Sequence, residues 1–325
     1  MILGIPLLKG ELDDGRIIFY LEEEIRRKFQ RMGFIIKAFV PSIEDKIFRE
    51  DLEMVNGVYL PDGDYDKSII NDINKMNIPI YGDDDFINKC KKRKVNYKKK
   101  KKIVGIISKY TFDNDISRVY LIDKVRKTIF LAGANIDFII PIQDVDYPTT
   151  RGKDYPEFSI EDKELIETII SNIDGLLLPG GFKLTPYDRY LFEEAVKKDI
   201  PTLGICLGMQ TMSCYKKEID IVDIDSSINH KQENDDELTH SVFINKDSLL
   251  FKIIGKEKIM VNSFHKKMST PNKYFNIVAY SEDNVIEAIE MPNKKFILGT
   301  QWHPEISYGF DDNSKKIIDY YISLL

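Results

Sequence analysis

Gly204-Ile205-Cys206-Leu207-Gly208 is the stretch that decides how this chain folds. An apolar run, Ile200-Pro201-Thr202-Leu203, precedes it, and a helix-forming run, Met209-Gln210-Thr211-Met212, follows. A Gly-x-Cys-x-Gly between strand and helix is the thiol form of a nucleophile elbow. The flanking glycines permit a sharp turn that lifts the middle side chain out, exposed, at the strand tip. The helix puts its positive end beside the sulfur and favours thiolate over thiol. A buried cysteine in a glycine-rich turn would carry the same five residues, so the pentapeptide alone leaves both readings open.

Two further segments weigh on the choice. Gln301-Trp302-His303-Pro304-Glu305 follows another apolar strand, Lys295 to Thr300. His303 and Glu305 are two apart, so an extended backbone points both to one face. That spacing suits a carboxylate orienting an imidazole, and an imidazole managing the proton of a thiol. Leu176-Leu177-Leu178-Pro179-Gly180-Gly181 reads as a buried strand ending in a turn. Glycines there let backbone N–H groups face a ligand, as an oxyanion hole requires. A surface His-Pro-Glu turn and an ordinary β-turn are the plain readings of each alone. Three such motifs in one chain, each at the end of an apolar strand, favour a catalytic thiol.

From these residues the chain resembles the class I glutamine amidotransferase-like proteins, in the branch called peptidase C26 or γ-glutamyl-γ-aminobutyrate hydrolase-like. The pieces that carry the resemblance run from Ile103 onward. They are Ile103-Val104-Gly105-Ile106, Ala132-Gly133-Ala134, Asp174 to Gly181, Gly204 to Gln210, His240-Ser241-Val242, Val261 to His265, Glu287-Ala288-Ile289-Glu290 and Gln301 to Glu305. The resemblance implies a triad of Cys206, His303 and Glu305, and oxyanion donors at the N–H groups of Gly181 and Leu207. It implies substrate contacts at Gln210, Gly180 and Ser241. The chain departs from the family pattern at Lys183, at Arg189-Tyr190 and at His265-Lys266-Lys267. Those places are expected to hold the leaving group, so the substrate rather than the chemistry differs.

Composition agrees with a soluble enzyme. The 325 residues, 43% hydrophobic, can bury one large core or two modest ones. A net charge of −6 argues against a dedicated nucleic-acid binder. Three widely spaced cysteines do not form a disulfide framework and favour a reducing compartment. Cys90 and Cys214 lack glycine flanks and are read as inert. The chain shows no signal peptide and no apolar run long enough to cross a bilayer, so a cytoplasmic protein is expected.

Strands at about 103–107, 136–140, 174–178 and 201–205 alternate with helices such as Arg118 to Ala132 and Tyr187 to Lys198. This pattern predicts an α/β fold with a doubly wound, mostly parallel sheet, flavodoxin-like in the manner of the resembled family. A strand-rich region, 241–300, and a terminal helix from Asp312 to Leu324 complete it. Ligands in such folds sit beyond the carboxyl ends of the strands, where all three motifs lie.

Residues 1–90 read as a truncated, degenerate copy of 103–207. Ile2-Leu3-Gly4-Ile5 parallels Ile103 to Ile106, and Val55 to Gly63 parallels Ile173 to Gly181. Ile78 to Asp85 parallels Ile200 to Leu207, with Asp84 in place of Cys206. The expected organisation is a non-catalytic βα repeat over 1–90, a basic linker over 91–102 and a catalytic domain over 103–325. The acids Asp62, Asp64, Asp83, Asp84 and Asp85 read as a solvated loop rather than a cation site. The lysines of 89–94 and 98–102 read as a flexible tether.

The expected function is cleavage of a small γ-glutamyl amide through a thioester, with no metal and no organic cofactor. Nucleic acid and membrane are not expected partners. Two alternatives stand beside it. One is a glutaminase subunit that supplies ammonia to a separate synthase. The other is a non-enzymatic binding or assembly protein on this fold. Residues 1–90 are expected to contribute no chemistry and to pack on the catalytic domain or on a second subunit as a homo-oligomer contact.

Overall fold

The computed structural model describes residues 1–40, 51–65, 68–95, 102–216, 221–270 and 273–325. The chain separates into two compact units: Met1–Lys100 with Ser108–Asp123 and Phe138–Leu165, and Lys101–Ile107 with Lys124–Asp137 and Ile166–Leu325. A sequence boundary at 103 therefore does not mark the spatial division.

In order from the N-terminus come β1 (Ile2–Pro6), β2 (Leu8–Glu11), β3 (Ile17–Glu22), α1 (Glu23–Arg31), β4 (Ile35–Phe39), β5 (Gly57–Val58), α2 (Ile69–Lys75) and α3 (Phe86–Lys92). Then follow β6 (Ile103–Ile107), β7 (Lys109–Asp113), β8 (Ile116–Ile122), α4 (Asp123–Leu131), β9 (Asn135–Ile139) and α5 (Ile160–Ser171). The remainder holds β10 (Gly175–Leu178), α6 (Pro186–Lys197), β11 (Thr202–Ile205), α7 (Leu207–Ser213), β12 (Ile221–Asp223), β13 (His240–Ile244), α8 (Leu249–Ile254) and β14 (Lys258–Val261). Last are β15 (Lys267–Ser269), β16 (Asn276–Ser281), β17 (Ile286–Glu290), β18 (Ile297–Thr300), α9 (Pro304–Ser307) and α10 (Asp312–Ser323).

In the first unit β1 lies between β4 and β5, parallel to both, and Val58 bridges in parallel to Ile80. Phe39, Leu52, Val55, Val58, Ile69 and Ile73 pack under them. A second sheet runs β2-β3-β8-β7. At its centre Tyr20 pairs antiparallel with Tyr120. Ala38 pairs antiparallel with Phe138, so at both places a residue meets the one a hundred positions on. The stretch Arg118–Ile122, expected as helix, is strand: its apolar and aromatic residues pair across β3 in unbroken register, and that pairing outweighs local helix propensity.

Buried Arg26 explains why residues from 138 onward join this unit. Its guanidinium pairs with Glu23 and donates to the carbonyls of Pro141 at 3.1 Å, Gln143 at 2.8 Å and Val145. On the surface Arg27 and Arg31 both hold Asp144 at 2.6 Å and depress its carboxyl to about 2. The five aspartates of the acidic group are exposed. The start of the basic stretch is anchored rather than a tether. Lys89, Lys91 and Lys92 lie in α3, and Arg93 donates to the carbonyls of Val55 and Met76 at 3.0 Å. Lys98 to Lys101 lie outside the described residues.

The second unit carries the order β14-β13-β16-β17-β18-β11-β10-β6. Its centre, β18-β11-β10-β6, is parallel, and β17 onward is an antiparallel extension. All residues of β10, β11 and β18 are buried, which accounts for their mostly apolar sequences. No helix among the described residues is long and apolar enough to cross a membrane.

Candidate active site

The carboxyl ends of β10, β11 and β18 bring the three motifs together. Leu178 lies opposite Gly204, and Ile205 opposite Thr300. Cys206 leaves β11 with its N–H donating to Thr300 O at 2.7 Å, then turns into α7. The turn is strained at the cysteine itself, at φ 51° and ψ −106°. Such a backbone costs about 1–3 kcal/mol in a residue with a side chain. The elbow glycines serve a different need from the one the sequence suggests. A Cβ on Gly208 would lie 1.9 Å from the carbonyl oxygen of Leu178, and one on Gly204 would meet Met212 at 2.7 Å. They let α7 seat directly on the strand ends.

His303 reaches the elbow from the other side. Its Nδ1 lies 2.7 Å from Glu305 Oε1, and the Cys206 side chain is near enough to favour the charged ring. The backbone here is not extended. His303 caps the short helix α9, and Glu305 sits in its first turn, so a helical turn rather than a strand aligns the pair. A Cβ on Gly180 would lie 2.6 Å from His303 Cε1, so this glycine makes room for the imidazole. Burial disfavours a charged His303. The Glu305 carboxylate and the Cys206 side chain outweigh it and push the imidazole up to about 10.

Exposure does not single out Cys206, since all three cysteines are buried. The contact with His303 does. Cys214 donates to Gln210 O at 3.4 Å, and burial pushes the Cys90 thiol up to about 11. Gln210 is brought near the elbow on α7; its amide donates to Lys267 O at 3.1 Å and Gln301 Oε1 at 3.3 Å. Ser241 is turned elsewhere. Strand alternation sends His240 inward, while the Ser241 hydroxyl donates to the Met260 sulfur at 3.4 Å on the outer face. His265 is buried with His230, His240 and Glu287 in a group of its own.

Asn262 is the positioning residue that sequence reasoning left without a role. Fully buried, it accepts from the His303 N–H and donates to the His303 carbonyl, both at 2.8 Å, and Phe264 meets the imidazole edge-on at 5.5 Å. An Asn just past a strand carries no local signal of a contact forty-one residues away. Asn262→Ala orphans both backbone groups. We expect a loss of roughly 2–4 kcal/mol in urea melts and a fall in kcat larger than any rise in KM. An unchanged kcat would show that His303 needs no such clasp.

The Peptidase C26 family model matches residues 186–305. The chain is also 30% identical over 183 residues to "Putative glutamine amidotransferase PB2B2.05" of Schizosaccharomyces pombe, covering 48% of this chain and 71% of that protein. The chain belongs to the class I glutamine amidotransferase-like superfamily, in its peptidase C26 branch. The C26 match opens at α6 and closes on Glu305, so it takes in the elbow and the His-Pro-Glu turn. A CTP synthase of Mycoplasma capricolum is 26% identical over 240 residues, covering 63% of this chain and 41% of the synthase. The chain thus spans about two-fifths of that relative's length. Among solved structures it is similar to the glutaminase domain of Trypanosoma brucei CTPS with bound acivicin, at 19% identity and a TM-score of 0.47, over 69% of this chain and 92% of that one.

Proposed function

We propose that this C26 member hydrolyses the γ-glutamyl amide bond of a small γ-glutamyl compound through a thioester at Cys206. The observation that carries the reading is His303, held between Glu305 and the Cys206 side chain. His303 takes the thiol proton and the sulfur attacks as thiolate. The carbonyl oxygen takes the charge and rests on the N–H groups of Gly181 and Leu207. As the C–N bond breaks, His303 gives its proton to the leaving amine. Water then loses a proton to His303, attacks the thioester carbonyl and releases glutamate and the free thiol. Gly180 and Gln210 flank the glutamyl group.

We also propose that residues 1–90 are a degenerate, non-catalytic copy of 103–207. Supporting this, strand, hairpin, helix and strand follow in the same order in 2–39 and 103–139, and α1 and α4 start a hundred residues apart. A half-domain needs a partner for its sheet and helix. Here β3 already has β8, and Arg26 already has the 141–145 carbonyls. A homo-oligomer through residues 1–90 is therefore not required. Three free, buried cysteines and a reaction needing a reduced thiol fit a reducing, cytoplasmic compartment.

The CTP synthase relatives keep one alternative open, an ammonia-donating subunit with a separate synthase. A panel of γ-glutamyl amides, glutamine included, assayed for released glutamate separates the readings. We expect turnover of a γ-glutamyl amide of a small amine above turnover of glutamine. Activity on glutamine alone, stimulated by a synthase, would favour the subunit reading. No glutamate from any member would favour a binding protein.

A further inference from the structure

Among the described residues, His230, His240, His265 and Glu287 form a buried group whose ligand atoms all lie within 4.8 Å of one another. Sequence reasoning expects no metal in this chain and gives His230 no role. The geometry assigns the four residues otherwise. They come from four separate places: the segment before Lys231, the first residue of β13, the turn after β14, and the second residue of β17. Nothing in their spacing of ten, twenty-five and twenty-two residues announces a site.

The ring nitrogens face in two directions. Outward, His230 Nε2 meets Asp283 Oδ2 at 2.9 Å, His240 Nδ1 meets Ser241 O at 3.3 Å, and His265 Nδ1 meets Lys267 O at 3.3 Å. All three outward partners are acceptors, so the outward nitrogens carry the hydrogens. The inward nitrogens, His230 Nδ1, His240 Nε2 and His265 Nε2, are then lone pairs. They converge on Glu287 Oε1 at 3.4, 3.5 and 3.6 Å. None of these three nitrogens and neither Glu287 oxygen has a hydrogen-bond partner, and all are buried. With neutral imidazoles, these five buried electron-pair donors face one another, which is costly unless a cation sits among them.

We propose that His230, His240, His265 and Glu287 hold a zinc ion in a closed structural site. Zinc bonds of about 2.0–2.1 Å place the ligands of a tetrahedron about 3.3–3.4 Å apart, close to the three imidazole–carboxylate separations here. Three imidazoles and one carboxylate suit zinc rather than calcium or magnesium. Four protein ligands leave no open position, which marks a structural rather than a catalytic ion. Each imidazole already has the outer acceptor that metal-bound histidines use to fix their tautomer.

The site ties together the elements that seat His303. His265 closes the turn that carries Asn262 and Phe264. The Glu287 carbonyl accepts from Gln301 N–H at 2.7 Å, two residues before His303. Lys267 O accepts from both His265 and Gln210. Zinc here holds the histidine's platform without touching substrate.

The test uses the full chain, stripped with a chelator and titrated with Zn²⁺ alone. The readouts are bound zinc by elemental mass spectrometry and the melting temperature. We expect one zinc per chain and a melting temperature several degrees higher with zinc than without. Cys206→Ala should bind zinc as the parent does, since the elbow is not part of this site. Asp283→Asn, which keeps all four ligands, should bind zinc about 10–100-fold more weakly. His240→Ala should lose it, and if that variant fails to fold, Asp283→Asn carries the test. A chain that takes up no zinc and melts unchanged would overturn the proposal. So would zinc that disappears in Cys206→Ala but persists undiminished in Asp283→Asn, because the metal would then lie at the thiol.

Discussion

Cys206→Ala is expected to lower glutamate release by at least about 10⁴-fold, because no other thiol touches an imidazole and the remaining oxyanion donors cannot form a thioester. Cys90 is fully buried beneath Gly57, and Cys214 faces the Gln210 carbonyl. Stability should move differently. Alanine keeps the backbone of Cys206 at φ 51°, whereas glycine relieves it. Cys206→Gly should therefore be as inactive as Cys206→Ala yet more stable than it, by about 1 kcal/mol once the greater chain entropy of glycine is subtracted. Paired urea melts and glutamate assays check both. Equal stability of the two variants would mean the elbow stores no strain.

The second large effect concerns the proton. His303→Ala should cost on the order of 10⁴-fold or more, and Glu305→Gln less, about 10²- to 10⁴-fold. Glutamine can still hold the ring, but it no longer favours its charged form. The pH profile tells the roles apart. Burial alone lowers the His303 pKa, and the carboxylate is the first of the groups that raise it to about 10. Removing that charge should move the alkaline limb of kcat to lower pH. Stability follows the same linkage. The folded value lies above the ordinary 6.5, so the stabilisation is complete below about pH 6.5 and is lost as the pH rises through about 10. Wild type should lose melting temperature over that window, and Glu305→Gln should lose less. An alkaline limb that stays near 10 in Glu305→Gln would mean that another group raises the imidazole.

Much of this site was legible because its chemistry is local. Cys206 with its glycines, Pro179-Gly180-Gly181 and His303-Pro304-Glu305 are short runs, each at the end of a buried apolar strand. The parallel strands were legible for the same reason, since β10 and β11 are buried on both faces and read as mostly apolar runs. What was missed depends on residues far apart. β8 reads as helix until β3, a hundred residues earlier, pairs with it. Asn262 looks like any polar residue after a strand until His303 arrives. The His230, His240, His265 and Glu287 group exists only once the antiparallel extension has folded. Ser241 lies on the outer side of β13, one step of strand alternation from the buried His240.

The claim that Cys206 is acylated by a γ-glutamyl group is tested most directly by quenching the enzyme with acid during turnover and mapping its peptides by mass spectrometry. A glutamyl adduct, labile to hydroxylamine, is expected on the peptide carrying Cys206, absent from Cys206→Ala and absent from the peptides carrying Cys90 and Cys214. An adduct on either other cysteine, or steady glutamate release in Cys206→Ala, would contradict that claim.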